Sequence, residues 1–379
     1  MLRALKRFGL GLLILIAIIA ILLVINPQFA PSHDSPYLNL VNEKTGGAPS
    51  EEDLLQRVIL YGDAGSSSLE PWQASLAKIA ARASISPDKT AVVALGDNIY
   101  YKGYPNKEED QDEWKEGQLE DISHLDAQLK MADVSQARFY FVPGNHDWYA
   151  GALDDIREHV SKYANEKDVS AEFRPLPSNI LGAVDAINLP GVSLVFVDSS
   201  ALLTTNDEEL SDAMKTMTAA FDSIRSTYPE NLIVVNQHHP LETMGQHAGY
   251  MTHFAYWLII NGLDLFTDVA AEDTYHPNYQ RIIQALDSTI APYQNVIHAA
   301  GHDHSLQVFR RPHSHGPEYT IVSGAGNTSK LSGVGDSENS RFALSQEGFV
   351  ELNVTSNGTY LQVFDINHDE AQAGFWLAF

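Results

Sequence analysis

Five short apolar runs in this 379-residue chain each end in side chains that hold metal ions or move protons. Arg57-Val58-Ile59-Leu60-Tyr61 ends in Gly62-Asp63, and Thr90 to Leu95 ends in Gly96-Asp97. Arg138 to Val142 ends in Pro143-Gly144-Asn145-His146-Asp147. Leu232 to Val235 ends in Asn236-Gln237-His238-His239, and Asn295 to Ala300 in Gly301-His302-Asp303-His304. Singly, each motif is weak: Gly-Asp after a strand is a common turn, and a histidine pair is more often structural. All five together are not coincidence. His302 and His304 alternate, so on an extended segment they share a face. The donors are carboxylates, an amide and imidazoles, in a chain with no cysteine. That set suits Fe, Mn, Zn or Mg rather than a soft-metal site. There are more donors than one ion needs, which implies two ions and one carboxylate bridging them.

Such runs fit strands buried on both faces, and helical stretches lie between them. The clearest helix is Asp207 to Thr227, with Leu210, Ala213, Met214, Met217, Phe221 and Ile224 on one stripe. Asn206 is its expected N-cap, and Asp207, Glu208 and Glu209 suit its positive start. Residues 192–198 read as a further strand, and Tyr319–Val322 and Gly348–Val354 as late strands of a second sheet. Strands alternating with helices predict an α/β fold, whose ligands gather beyond the carboxyl ends of the strands. The donor residues all stand at those ends.

Without cysteine the chain has no disulfide, no zinc finger, no thiolate chemistry and no Cys-ligated iron–sulfur cluster. Apolar residues at 44% and aromatics at 9% supply an ample core. A net charge of −25 argues against nucleic acid as a partner. Three of the 24 basic residues precede the first acid, Asp34, so the remainder sets 21 basic against 49 acidic, a net −28. Residues 1–7 form a basic tip carrying Arg3, Lys6 and Arg7, and 8–25 are apolar plus glycine. As a helix those residues would span about 27 Å, close to a bilayer core. The positive flank predicts a single-pass anchor in a bacterial inner membrane with the C-terminal bulk in the periplasm. The alternative is a signal peptide, cleaved to leave a periplasmic or secreted protein. Residues 26–56, broken by Pro27, Pro31, Pro36, Gly46, Gly47 and Pro49, read as a linker, and 57–379 as the catalytic domain.

The order of the five blocks resembles the purple acid phosphatases, members of the calcineurin-like metallophosphoesterase superfamily, and is closest to their small, mammalian-type branch. The resemblance covers roughly residues 57–330. Two details sharpen it: Gly65 stands where most of the superfamily has a metal-binding histidine, and Tyr100 stands where the purple enzymes carry an iron-binding tyrosinate. It implies a sandwich of two mixed β-sheets flanked by helices. It further implies that Asp63, Tyr100 and His304 bind one ion, that Asp97 bridges, and that Asn145, His238 and His302 complete the second. His146 and His247 would contact the phosphate, and Asp147 would orient His146 or a neighbour by hydrogen bonding. The first ion is expected to be Fe(III), its partner Fe, Zn or Mn.

Two cations depress the pKa of a bound water, neutralise phosphate charge and align an ester for in-line attack. The expected function is therefore hydrolysis of small phosphomonoesters. A phosphodiesterase or pyrophosphatase would use the same core, and a silent membrane-anchored metal-binding scaffold is the reading of another class. No protein partner is indicated. The stretch 249–277 lies between two donor blocks and should overhang the site, as a core helix or an apolar lid.

Overall fold

The computed structural model describes residues 32–105, 116–178, 181–182, 184–248, 272–312, 315–327 and 331–379. In chain order its strands are β1 (Tyr37–Leu38), β2 (Leu54–Tyr61), β3 (Thr90–Ala94), β4 (Arg138–Phe141), β5 (Ser170–Phe173), β6 (Val184–Leu189), β7 (Val192–Val197) and β8 (Leu232–Asn236). They continue with β9 (Val296–Ala300), β10 (Leu306–Arg310), β11 (Tyr319–Ser323), β12 (Ser340–Leu344), β13 (Gly348–Thr355), β14 (Gly358–Asp365) and β15 (Ala373–Trp376). The helices are α1 (Ala74–Ala83), α2 (Glu116–Ser135), α3 (Asn145–Trp148), α4 (Leu153–Lys167), α5 (Ser199–Leu202), α6 (Asp207–Thr227) and α7 (Pro277–Ile290).

One sheet has the order β15-β14-β13-β2-β3-β4-β5, the other β1-β12-β10-β11-β9-β8-β7-β6. Parallel pairing runs from β2 through β5, and from β7 through β8 and β9 to β11. Both sheets are mixed, since their outer pairs are antiparallel. The alternation of side chains along each strand makes the layers. Val58, Leu60 and Val93 face Leu194, Phe196, Val234 and Ile297 between the sheets. Their neighbours Ile59, Tyr61 and Val92 turn outward onto α1, α2 and α4, while Val195 and Val235 turn onto α6 and α7. Both faces are buried, as the unbroken apolar runs require.

Helix α6 has the expected bounds, and Asn206 Oδ1 caps it by accepting from the backbone N–H groups of Glu208 and Glu209. Two expectations are corrected. The late strands do not form a sheet of their own: β11 joins β9 in the eight-stranded sheet, and β13 joins β2 in the seven-stranded one. The five donor-bearing strands are divided between the sheets in the same way. The second correction concerns the linker. From Ser32 onward this stretch is packed on the domain, with β1 paired to β12. Buried Glu43 accepts from Tyr319 Oη at 2.7 Å and Arg341 Nε at 2.9 Å. Prolines and glycines signalled irregular backbone there, and irregular backbone also packs when a buried charge finds its partners.

The segments 1–7 and 8–25 lie outside the described residues, as do 249–271 of the expected lid. Among the described residues no helix is long and apolar enough to cross a membrane.

Candidate metal centre

The carboxyl ends of β2, β3 and β4 in one sheet and of β8 and β9 in the other converge at one edge of the sandwich. Backbone contacts fix the junction. Leu95 O accepts from His238 Nδ1 at 2.8 Å, His302 N donates to Asp63 Oδ2 at 2.9 Å, and His146 N donates to Asp97 Oδ1 at 3.0 Å. Asp63, Asp97 and His302 have φ of 60°, 53° and 70°, in the left-handed region that non-glycine residues rarely occupy. Three donor residues with this backbone cluster at one edge, which is where strained geometry tends to serve function.

The seven metal-type residues expected from the sequence come together here, in two groups with Asp97 between them. In the first, Tyr100 Oη donates to Asp63 Oδ1 at 3.0 Å and lies 3.1 Å from His304 Nε2, which is 3.3 Å from Asp63 Oδ1. In the second, His238 Nε2 lies 2.9 Å from Asn145 Oδ1 and 3.2 Å from His302 Nδ1. Asp97 stands between the groups, its Oδ1 3.5 Å from His238 Nε2. One donor atom each from Asp63, Asp97 and His238 lie within 4.8 Å of one another, and the same holds for His238, His239 and His302.

Tautomers test whether a cation fits. His238 Nδ1 donates to the Leu95 carbonyl, which leaves Nε2 bare when the ring is neutral. His302 Nε2 donates to the Glu272 carbonyl at 3.0 Å, which leaves Nδ1 bare. Asn145 spends its Nδ2 hydrogens on Tyr149 Oη and Glu272 Oε2, at 2.8 and 2.9 Å, so its oxygen faces inward. Three lone pairs then point at one another and require one positive charge among them. Burial pulls the His238 pKa down, but the charges of Asp97 and Asp63 outweigh it and raise it. Burial and the neighbouring histidines hold His302 well below the usual histidine range. Asp63, Asp97 and His238 are buried and, among the described residues, none pairs with a lysine or arginine. The donors present fit a metal cation.

Gly65 explains the tyrosine. A Cβ there would sit 2.7 Å from Asp97 O and from the backbone nitrogen of Ile99. No side chain fits at Gly65, and the phenol reaches the site from Tyr100 instead. Gly96 is equally constrained: its φ is +91° and a Cβ would lie 2.6 Å from His238 Nδ1.

His146 stands edge-on to Tyr100, with ring centroids 4.6 Å apart. Its Nδ1 donates to Tyr101 O at 2.7 Å, and its Nε2 is 3.9 Å from Asp97 Oδ2. His247, on the short turn Gln246–Ala248, stacks on His302 at 3.8 Å and bonds Asp273 Oδ1 through Nδ1 at 2.7 Å. Burial pulls its pKa down, but Asp273, Asp303 and Glu272 outweigh that and push it up to about 9. Asp147 orients neighbours of His146 by hydrogen bonding. Its carboxylate gathers N–H groups of Asn98, Ile99 and Gly144 at 2.8 to 3.2 Å, so it shapes the backbone that carries Asp97 and Asn145. Buried His239 leans on His302 at 4.5 Å, with Nδ1 bonded to Ser199 Oγ.

Sequence reasoning missed Glu272, Tyr149 and Ser199. Ser199 Oγ accepts from the backbone of His238 and His239 at 3.2 and 3.1 Å. The Glu272-Asp273 acidic pair was the only signal in the sequence for any of the three. Glu272 and Asp273, at the described end of the stretch 249–277, contact Asn145, His302 and His247.

The family described as "Calcineurin-like phosphoesterase" matches residues 57–270, more than half of the chain. No curated protein matches the sequence. Among solved structures, "GAP50 the anchor in the inner membrane complex of Plasmodium" is 15% identical with a TM-score of 0.52, covering 85% of this chain and 88% of that one. "Structure of PhoD" is 10% identical with a TM-score of 0.44, covering 88% and 70%. At such identities the first likeness speaks for the fold alone.

Proposed function

The chain belongs to the calcineurin-like phosphoesterase family, and we propose that it hydrolyses phosphomonoesters with two metal ions, in the manner of the purple acid phosphatases. The observation that carries this reading is the pair of donor groups meeting at Asp97. Asp63, Tyr100, His304 and Asp97 would hold one ion, and Asn145, His238, His302 and Asp97 the other. The phenol and carboxylates of the first group suit hard Fe(III), with Fe, Zn or Mn as the divalent partner. Bound there, the ions would supply Lewis acidity, an activated water and charge neutralisation for a phosphate.

The chain's own residues do the rest. His146 and His247 each anchor Nδ1 on a fixed acceptor, Tyr101 O and Asp273. Each thereby orients its Nε2 as the nitrogen that would bond a phosphate oxygen or pass a proton to the departing alkoxide. Exposed Tyr101 and Tyr149 provide aromatic surface beside His146 for an organic leaving group. The products are an alcohol and inorganic phosphate. We also place this domain in the periplasm behind an anchor at 8–25, a proposal resting on the sequence alone. Release of the full chain from membranes by an alkaline wash would remove the anchor.

The test is hydrolysis of p-nitrophenyl phosphate against bis-p-nitrophenyl phosphate by the iron- and zinc-loaded full chain. Preference for the monoester is expected. Preference for the diester would favour a phosphodiesterase. No turnover by a fully metallated sample would favour a silent scaffold.

A further inference from the structure

We infer that Glu272 is the positioning residue of the second donor group, a role that rests on the metal reading above. Asn145 binds a cation only if its amide presents oxygen, and an amide presents either end with equal ease. Here both Nδ2 hydrogens are committed, to Tyr149 Oη at 2.8 Å and Glu272 Oε2 at 2.9 Å. Tyr149 Oη in turn donates to Glu272 Oε1 at 3.3 Å. A carboxylate only accepts, so Glu272 tolerates the NH₂ end of Asn145 and rejects the carbonyl end. The oxygen is thereby turned to His238 Nε2, 2.9 Å away.

His302 faces a similar choice between two tautomers. Its Nε2 lies 3.0 Å from the main-chain carbonyl of Glu272, which also only accepts. The hydrogen therefore sits on Nε2, and Nδ1 is left bare toward His238. One residue selects the presenting atom of two donors, by its side chain for one and its main chain for the other. The third donor, His238, is set separately by Leu95 O from the core of the opposite sheet. Glu272 stands outside all five motif blocks and arrives in the site only through the fold. Its neighbour Asp273 fixes His247 in the same pass, so adjacent acids divide the work between the donor group and the phosphate side.

Without the carboxylate, Asn145 is free to flip and would aim a positive N–H dipole at the cation. Outer partners of this kind typically change metal affinity 10–100-fold. The experiment is a calorimetric Zn²⁺ titration of the metal-free full chain, with the visible spectrum of Co²⁺ as a second readout. Wild type should take two ions. Glu272→Ala should keep its far-UV spectrum and its first ion, bind the second about 10–100-fold more weakly, and alter the Co²⁺ spectrum. Glu272→Gln should recover little of the affinity, because its own amide can donate to a flipped Asn145 as readily as it accepts from the unflipped one. In an Asn145→Asp background there is no amide to orient, so removing Glu272 should cost the second ion far less affinity than it does in wild type.

Equal affinity in Glu272→Ala and wild type would overturn the inference and leave the metal reading standing. So would an equal loss on removing Glu272 in wild type and in the Asn145→Asp background, since charge alone would then explain the effect. Should Glu272→Ala fail to fold, the Glu272→Gln and Asn145→Asp comparisons decide the matter. A wild-type chain that takes up no ion would sink the metal reading and this inference together.

Discussion

Asn145 Oδ1 and His238 Nε2 stand 2.9 Å apart, one from the seven-stranded sheet's edge and one from the eight-stranded sheet's. With the His238 ring neutral, each has its hydrogens committed elsewhere, to Glu272 and Tyr149 on one side and Leu95 on the other. The contact makes sense as two ligands of one cation.

Replacing either partner should therefore remove one ion and leave the other. In His238→Ala, metal analysis should fall from two ions per chain toward one, and kcat/KM should drop at least about 100-fold, the lower end of what a catalytic cation contributes. Two ions retained at full occupancy would disprove the grouping.

Tyr100 tests the first group. Its hydroxyl is buried and donates to Asp63, so Tyr100→Phe should cost about 1–3 kcal/mol through the unsatisfied acceptor and preserve the fold. In the iron-loaded protein the same change should abolish visible charge-transfer colour. Full colour in the variant would exclude a tyrosinate ligand.

Gly96→Ala should be far more damaging than an exposed glycine substitution. The methyl group meets the His238 ring at a φ of +91°. The clash and the backbone strain together predict a loss of about 2 kcal/mol or more, with lower affinity for the ion bound by His238. Urea unfolding and metal titration check both halves. A variant as stable and as tightly loaded as wild type would show that His238 has room to move.

Asp198 gives a pH signature away from the donors. Burial pushes its carboxyl up to about 6, against the N–H groups of Ala201 and Ser200 and the Trp148 indole, which favour the charged form. The folded state thus holds a proton that the unfolded state releases near pH 4. The stabilising effect of that proton is complete below pH 4 and lost as pH rises through about 6. Asp198→Asn keeps an acceptor for Ala201 and has nothing to ionise. Relative to wild type it should gain stability between pH 4 and 7, on the order of 2–3 kcal/mol. Parallel stability curves for the two proteins would contradict the raised value.

Chelation should lower the melting temperature, and added Zn²⁺ should restore it in proportion to the logarithm of its free concentration, because an ion that binds only the folded chain stabilises it by mass action. A melting temperature indifferent to metal would argue that the donors hold none.

Eight of the fifteen described strands, the α6 helix and every residue of the two donor groups were legible in the sequence. Short apolar runs need burial on both faces, and a chain places ligands where such strands stop, so periodicity and adjacency carry that information locally. Gly65 and Tyr100 were legible as a pair, though only the fold shows why: the Asp97 backbone leaves no room for a side chain at Gly65. Tertiary structure alone decided the rest. It divided the five donor strands between two sheets, and it carried β13 back to β2 rather than into a sheet of late strands. It packed Glu43 under the arginines of β10 and β12. It turned Asp147 onto backbone N–H groups and brought Glu272 to Asn145 and His302. These choices depend on hydrogen-bond partners distant in the chain, Asn145 and Glu272 being 127 residues apart. A ligand's type is written at its own position. The atom it presents is set by the partner it meets in space.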